Sequence, residues 1–222
     1  MKKFILFLSL FLILITLSTF NPKNFKSNNK FFAIKNILVV NTKILNNKDI
    51  KNLFWNELEN NNILFLDLNK IQKITAKEEL ISHIEIKKKY PNTIIIKVFE
   101  KEPIAIYFDK KKFYYITKEG DLTDYFNSKS LNSLPNVIGS KEEFMIIFKS
   151  LKDQDFPLLE IESLRQHAIG RWDILLKNKK LIKLPKKNFK ESIQNYIEIH
   201  NDPNFKKYSV FDFRIKGQLI LK

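Results

Sequence analysis

The chain begins with an unbroken apolar run and then changes rhythm several times. After Met1-Lys2-Lys3, the only polar residues between Phe4 and Phe20 are Ser9, Thr16, Ser18 and Thr19. As a helix this run rises roughly 26 Å, close to the hydrocarbon thickness of a bilayer. Two lysines and an apolar run also open a cleavable signal peptide, the rival reading. The run is longer than the usual signal core, and no A-x-A-like site follows in "LSTFNPKNFKSNN", so a retained anchor is favoured. Lys2 and Lys3 argue for an inside N-terminus, while Lys23, Lys26 and Lys30 beyond the span weaken that bias. The expected layout is a tail over 1–3, a transmembrane anchor over 4–20, a polar spacer over 21–30, and the remaining mass on the far side.

Beyond the spacer the periodicity alternates between strand and helix. "AIKNILVVNTK" (Ala33 to Lys43) is β-branched enough for a strand. Asn46 or Asn47 then caps a helix in which Ile50, Leu53, Phe54 and Leu58 fall on one face. A second helix is predicted over Asn69 to Leu80, leading into "SHIEIKKK", where Ile84 and Ile86 alternate with polar neighbours. Tyr90-Pro91-Asn92 supplies turn chemistry, and Thr93 to Phe99 is the returning strand. The order is β-α-α-β-β. Pro103 cannot donate to a ladder, which places a seam at Lys101 to Pro103 and divides the chain into modules over 31–102 and 103–222.

The second module reads as mostly strands with flanking helices, a mixed or antiparallel β domain, so the whole is α+β. "KFYYIT" and "LTDYF" flank a tight turn at Lys118 to Asp121. Ser140 and Glu143 stand at capping-box spacing before Phe144, Ile147, Phe148 and Leu151 at helical intervals. "LLEIESL", "RWDILLK" and "KLIKLP" read as strands, Phe189 to Ile197 as a helix, and Val210 to Leu221 as one final strand.

Composition changes this picture little. There is no cysteine, which excludes disulfides and thiolate metal sites. The net charge of +15 invites a nucleic-acid reading, but only Arg165, Arg171 and Arg214 supply the planar fork that reads bases and phosphates. Lys, Asn, Ile and Phe are abundant together, as an A/T-rich coding sequence would favour; a basic surface for an acidic partner or for anionic lipid is the alternative.

Catalytic chemistry is not found. The four glycines are too far apart for a dinucleotide fingerprint or a P-loop, and His83, His167 and His200 are isolated. Glu198, His200 and Asp202 have alternate spacing that could hold a metal if extended, but they read better as the end of a helix before Pro203. The acid pairs Glu78-Glu79 and Glu142-Glu143 read as solvated helix surface. No cofactor, metal site or enzyme activity is expected.

Three segments resemble the FtsQ family of septal cell-division proteins (DivIB in Gram-positive bacteria). They are "LISHIEIKKKYPNTIIIKVFEKEPIAIYF", with Tyr90-Pro91 and Glu100 to Ala105; "FYYITKEGDLTDYF…LPNVIGS", with Glu119-Gly120, Leu134-Pro135 and Gly139; and "RWDILLKNKKLIKLP" with "VFDFRIKG". Asn41 stands where the family has a glycine, and asparagine tolerates the left-handed geometry. The resemblance implies a POTRA domain followed by a C-terminal β domain. It also implies a bitopic inner-membrane protein at the division septum, linking early and late division proteins through periplasmic binding to FtsB- and FtsL-like partners. A POTRA-bearing protein of polypeptide transport is the alternative, and a secreted hydrolase a third.

Two surfaces follow as candidate partner sites. At the C-terminus, Ile215, Lys216, Gly217, Gln218, Leu219, Ile220 and Leu221 are expected to form an edge strand open to an added partner strand, with Gly217 permitting a bulge or close approach. The resemblance makes this the FtsB-docking strand, with Arg171 as an ion-pair partner; packing of Leu219 to Leu221 in the core is the competing reading. In the first module, Lys87 and Lys88, with Lys89, form a basic patch for other division components or else a merely solvated run.

Overall fold

The computed structural model describes residues 2–18, 32–59, 61–109 and 112–222. Helix α1 (Lys2–Ser18) presents exposed apolar side chains from Phe4 to Leu17. No helix among the described residues is long and apolar enough to cross a membrane. Thr19 and Phe20, the end of the expected anchor, and the expected spacer 21–30 lie outside the described residues. The chain divides into two compact units, Met1–Glu78 with His83–Phe99, and Glu79–Ser82 with Glu100–Lys222.

The first unit contains β1 (Asn36–Val40), α2 (Asn47–Leu58), α3 (Leu68–Thr75) and all but the outer ends of β2 (Ile81–Lys89) and β3 (Thr93–Glu100), the β-α-α-β-β order expected. Its sheet runs β1-β3-β2, with β1 parallel to β3 and Ile37 opposite Ile94. A parallel neighbour requires a crossover, and the two helices provide it. Helix α2 starts where Asn46 accepts a hydrogen bond from the Lys48 N–H at 2.9 Å, and it buries Ile50, Phe54 and Leu58. Asn41 takes φ of +69° and donates its side-chain amide to the Val98 carbonyl at 2.8 Å, so the asparagine both tolerates and secures the turn after β1.

Helix α3 stops at Thr75, short of the Leu80 expected, and the next residues form turns. Glu79 is therefore not on a helix surface; its carboxylate accepts the Asp124 backbone N–H at 3.1 Å.

The second unit contains β4 (Pro103–Asp109), β5 (Lys112–Thr117), β6 (Leu122–Asp124), β7 (Asn136–Ile138), α4 (Lys141–Asp153), β8 (Ile161–Gln166), β9 (Trp172–Leu176), β10 (Leu181–Lys183), α5 (Phe189–Ile199), β11 (Val210–Asp212) and β12 (Ile220–Leu221). These strands form one sheet in the order β12-β11-β10-β9-β8-β7-β4-β5-β6. It is mixed because β7 and β8 are parallel neighbours joined through α4, and β10 and β11 are parallel neighbours joined through α5. Ser140 caps α4 by accepting the Glu143 N–H at 3.2 Å. Phe144, Ile147 and Leu151 from α4 join Ile193 and Tyr196 from α5 in a core with Trp172, Ile174, Ile182 and Phe211.

Three sequence expectations are corrected here. Leu158–Glu160 is a turn of 3-10 helix before β8 rather than part of a strand, and β7 in "LPNVIGS" was not anticipated. The stretch from Val210 to Leu221 is not one strand. It is a hairpin in which β12 folds back antiparallel on β11, with Phe211 opposite Leu221 and Asp212 opposite Ile220.

Candidate partner-docking edge

The C-terminal hairpin is shaped by its polar residues. Asp212 is buried and receives the Arg214 guanidinium through Nε at 2.7 and 2.9 Å and through Nη2, while the Arg214 backbone N–H also donates to it at 3.1 Å. These bonds from Arg214 hold the Asp212 carboxyl below the usual aspartate range despite its burial, and Lys183 adds to the effect. They also bend the chain out of the β11 direction. Ile215 to Gln218 then closes a turn, with the Gln218 N–H donating to the Ile215 carbonyl at 3.1 Å and Gly217 third at φ +71°. A Cβ built on Gly217 would meet nothing within 4 Å, so the glycine serves the turn and not a close approach or a bulge.

The returning strand is anchored at the last residue. Val210 and Lys222 exchange both backbone hydrogen bonds, at 2.9 and 3.1 Å, and the Ser209 N–H donates to the Lys222 carbonyl at 2.7 Å. In an antiparallel ladder such pairs alternate, so Ile220 turns its backbone groups in toward Asp212 and Leu221 turns its own outward. Because β12 is the outermost strand, the Leu221 N–H and C=O lie on a bare edge. Side chains alternate the other way: Leu219 and Leu221 pack against the core, and Ile220 is exposed. The competing reading of Leu219 to Leu221 as core residues thus holds for Leu219 and Leu221, while Ile220 is exposed.

Arg171 joins this edge from a distant part of the sequence. It sits in the β8–β9 connection, where the His167 N–H donates to the Arg171 carbonyl at 2.9 Å and the Gly170 N–H to the His167 carbonyl at 2.8 Å. A cleft of about 400 Å³ is lined by Arg171 with Ile169, Lys186, Arg214, Ile215 and Ile220. A larger cleft of about 670 Å³ lies beside it, where Lys216, Gln218 and Leu219 face Glu191 and Glu198 of α5. The structure therefore brings Arg171 together with Ile215 and Ile220, and gathers Lys216 to Leu219 alongside.

A feature missed from sequence is the His167 to Asp173 pair, Nε2 to Oδ2 at 2.8 Å, across the turn that carries Arg171. Asp173 Oδ1 and Arg171 Nε are buried with no hydrogen-bond partner among the described residues. The six-residue separation of this pair across a hairpin was the only signal available. The Asp212–Arg214 pair sits in "VFDFRIKG", where alternation with Phe211, Phe213 and Ile215 suggests a strand and gives no sign of the ion pair.

Lys87 and Lys88 do not come together. They occupy the other unit and point to opposite faces of β2, with Lys87 exposed and Lys88 half-buried and donating to the Leu64 carbonyl at 3.3 Å. Glu198, His200 and Asp202 are used locally: His200 Nδ1 bonds the Ile197 carbonyl at 2.5 Å, and Asp202 accepts from the Asn204 N–H at 2.9 Å. No group of three or more potential metal ligands occurs among the described residues.

A two-helix, three-stranded unit followed by a mixed sheet with an open terminal edge defines a class of two-module proteins, and known families resolve it. Residues 32–101 match the POTRA domain, FtsQ-type, and residues 105–214 match the C-terminal domain of cell division protein FtsQ/DivIB. Cell division protein FtsQ of Rickettsia prowazekii is 30% identical over 199 residues, covering 86% of this chain and 72% of that protein. The Rickettsia conorii FtsQ is 28% identical over the same shares, and Clostridium tetani DivIB is 31% identical over 116 residues, 51% of this chain and 42% of that protein. The chain belongs to the FtsQ/DivIB family of cell-division proteins.

Proposed function

We propose that this protein is a bitopic inner-membrane scaffold of the division machinery, acting at the septum by binding and not by catalysis. In this reading residues 4–20 anchor it, 1–3 remain in the cytoplasm, and 21–30 space the periplasmic part from the bilayer. Residues 31–102 and 103–222 serve as its two binding modules. The family membership, the apolar side chains of α1 and the two adjacent lysines support this arrangement.

The proposed partner of the second module is an FtsB-like division protein, with an FtsL-like protein in the same assembly. The observation that carries this is the bare outer edge of β12, where Leu221 offers both backbone groups to an incoming strand. Arg171, Ile215 and Ile220 stand at its side to meet charged and apolar side chains of that strand. In the first module Lys87, rather than Lys88, is the lysine disposed to meet other components.

The test is co-purification of the full-length protein from crosslinked membranes. Leu221→Pro removes the outward N–H and is expected to lower recovery of the FtsB-like protein by about tenfold or more, while circular dichroism stays native. Leu221→Ala controls for packing, and Arg171→Glu should also reduce recovery. Undiminished recovery with both Leu221→Pro and Arg171→Glu would sink the docking edge.

A further inference from the structure

The sheet of the first unit has one face buried and one open. Ile37, Ile94, Ile96 and Val98 are buried on the side of α2 and α3. The alternate residues form the other face: Leu38 and Val40 from β1, Ile95, Lys97 and Phe99 from β3, and His83, Glu85, Lys87 and Lys89 from β2. Leu38 and Val40 are 48% and 41% exposed, large values for aliphatic residues side by side on one strand. Ile95 lies directly opposite Leu38, and Lys97 opposite Val40.

This face is graded across its width. The apolar column on β1 and β3 gives way to a stacked pair, His83 on Phe99 with centroids 4.2 Å apart. Lys97 stands 4.6 Å from the Phe99 ring centroid and 3.4 Å from Glu85, so the one carboxylate of the face among the described residues is already paired. Lys87 and Lys89 complete the far side, exposed and with no ion pair among the described residues. With strands about 4.8 Å apart, β1 and β2 are separated by about 10 Å, the width of one helix with its side chains.

We infer that this open face docks an amphipathic helix of a partner protein, its apolar stripe on Leu38, Val40 and Ile95 and its acidic flank against Lys87 and Lys89. Charge complementarity selects the acidic flank, because two unpaired lysines border the apolar column and no free carboxylate opposes them. The surface is separate from the β12 edge and rests on no property of it, so the two can fail independently. A protein helix is favoured over a membrane because the exposed apolar residues Leu38 and Val40 are aliphatics set on a sheet, and Phe99 on the same face is half-buried against His83 instead of projecting as an aromatic that would enter a bilayer interface.

The experiment uses the full-length protein in detergent and a labelled synthetic helix of about five turns with leucines on one stripe and glutamates flanking it. The acidic peptide is expected to bind, and Lys87→Glu with Lys89→Glu to weaken it about tenfold, a loss that shrinks as salt is raised. Leu38→Ser with Val40→Ser should weaken it comparably while leaving the unfolding midpoint unchanged. Lys88→Glu, on the other face, should leave binding unaltered. Equal binding of a peptide with lysine in place of glutamate would overturn the inference. So would an equal loss with Lys88→Glu, no binding of the acidic peptide, or Lys87- and Lys89-dependent capture by phosphatidylglycerol vesicles in place of the peptide.

Discussion

The two ends of the nine-stranded sheet are finished differently. At one end, the outermost strand β6 pairs with β5 so that Tyr115 faces Thr123, and the Asp124 N–H points outward. Glu79 takes that N–H at 3.1 Å, and Tyr125 and Phe126 pack their rings around Tyr115, whose hydroxyl donates to the Phe126 carbonyl at 2.6 Å. At the other end β12 carries no such cover: the Leu221 N–H has no partner among the described residues, and Ile220 beside it is exposed. Sheet edges are liabilities unless charged, capped or paired. At one edge an acid from the same unit takes an outward N–H; at the other the outward Leu221 N–H has no partner among the described residues.

The difference can be broken at several strengths. The largest effect is expected at Phe211, which is fully buried on the strand that carries β12. Phe211→Ala should cost about 3–5 kcal/mol by chemical denaturation, and partner binding should fall in step with unfolding. Ile220→Pro comes next. It removes an inward ladder donor and introduces proline into the hairpin, so it should destabilise by about 1–3 kcal/mol more than Leu221→Pro, which loses side-chain packing but no ladder bond. Equal losses from the two would mean that the alternation of inward and outward groups is misassigned.

Asp212→Asn should cost about 1–2 kcal/mol at neutral pH, discounted because Arg214 is partly exposed. The sign of its pH dependence is fixed by the lowered carboxyl pKa. The contribution is fully present above the ordinary aspartate range and is lost as pH falls through the folded value, so the variant should show a flatter acid limb in stability against pH. Gly217→Ala should cost about 1 kcal/mol for the positive φ alone, since the added methyl meets no neighbour. Smallest in stability, Glu79→Ala should lose less than about 1 kcal/mol. Its signature is instead concentration-dependent association measured by sedimentation, because it bares a second edge. No change in association would mean the β6 edge is guarded by its aromatic cover and not by the acid.

Much of the local structure was legible along the chain because its causes are local. Helical spacing at Ile50, Phe54 and Leu58, with asparagine ahead of it, gave α2; Ser140 three residues before Glu143 gave α4; and alternation through Ile84 and Ile86 gave β2. Where the structure departs from the sequence pattern in these segments, the deciding geometry is short-range but is not carried by simple alternation of apolar and polar residues. Alternation from Phe211 to Lys216 continues past the point where the real strand stops, because the Arg214 guanidinium folding onto Asp212 and the turn at Gly217 end it. Lysines at 87 and 88 look like one patch in sequence and become two faces once the strand is extended.

By itself the sequence determined the apolar N-terminal helix, the β-α-α-β-β order of the first module, the strand-rich second module and, through its ordered motifs, the family. These follow from periodicity, capping and turn chemistry, which act over a few residues. The tertiary structure alone decided that β3 lies between β1 and β2, that β12 is the outermost strand, that Arg171 stands beside Ile220, and that Glu79 closes one edge. Those are pairings between residues far apart in the chain, selected by crossover geometry and by which faces must be buried, and no local pattern encodes them.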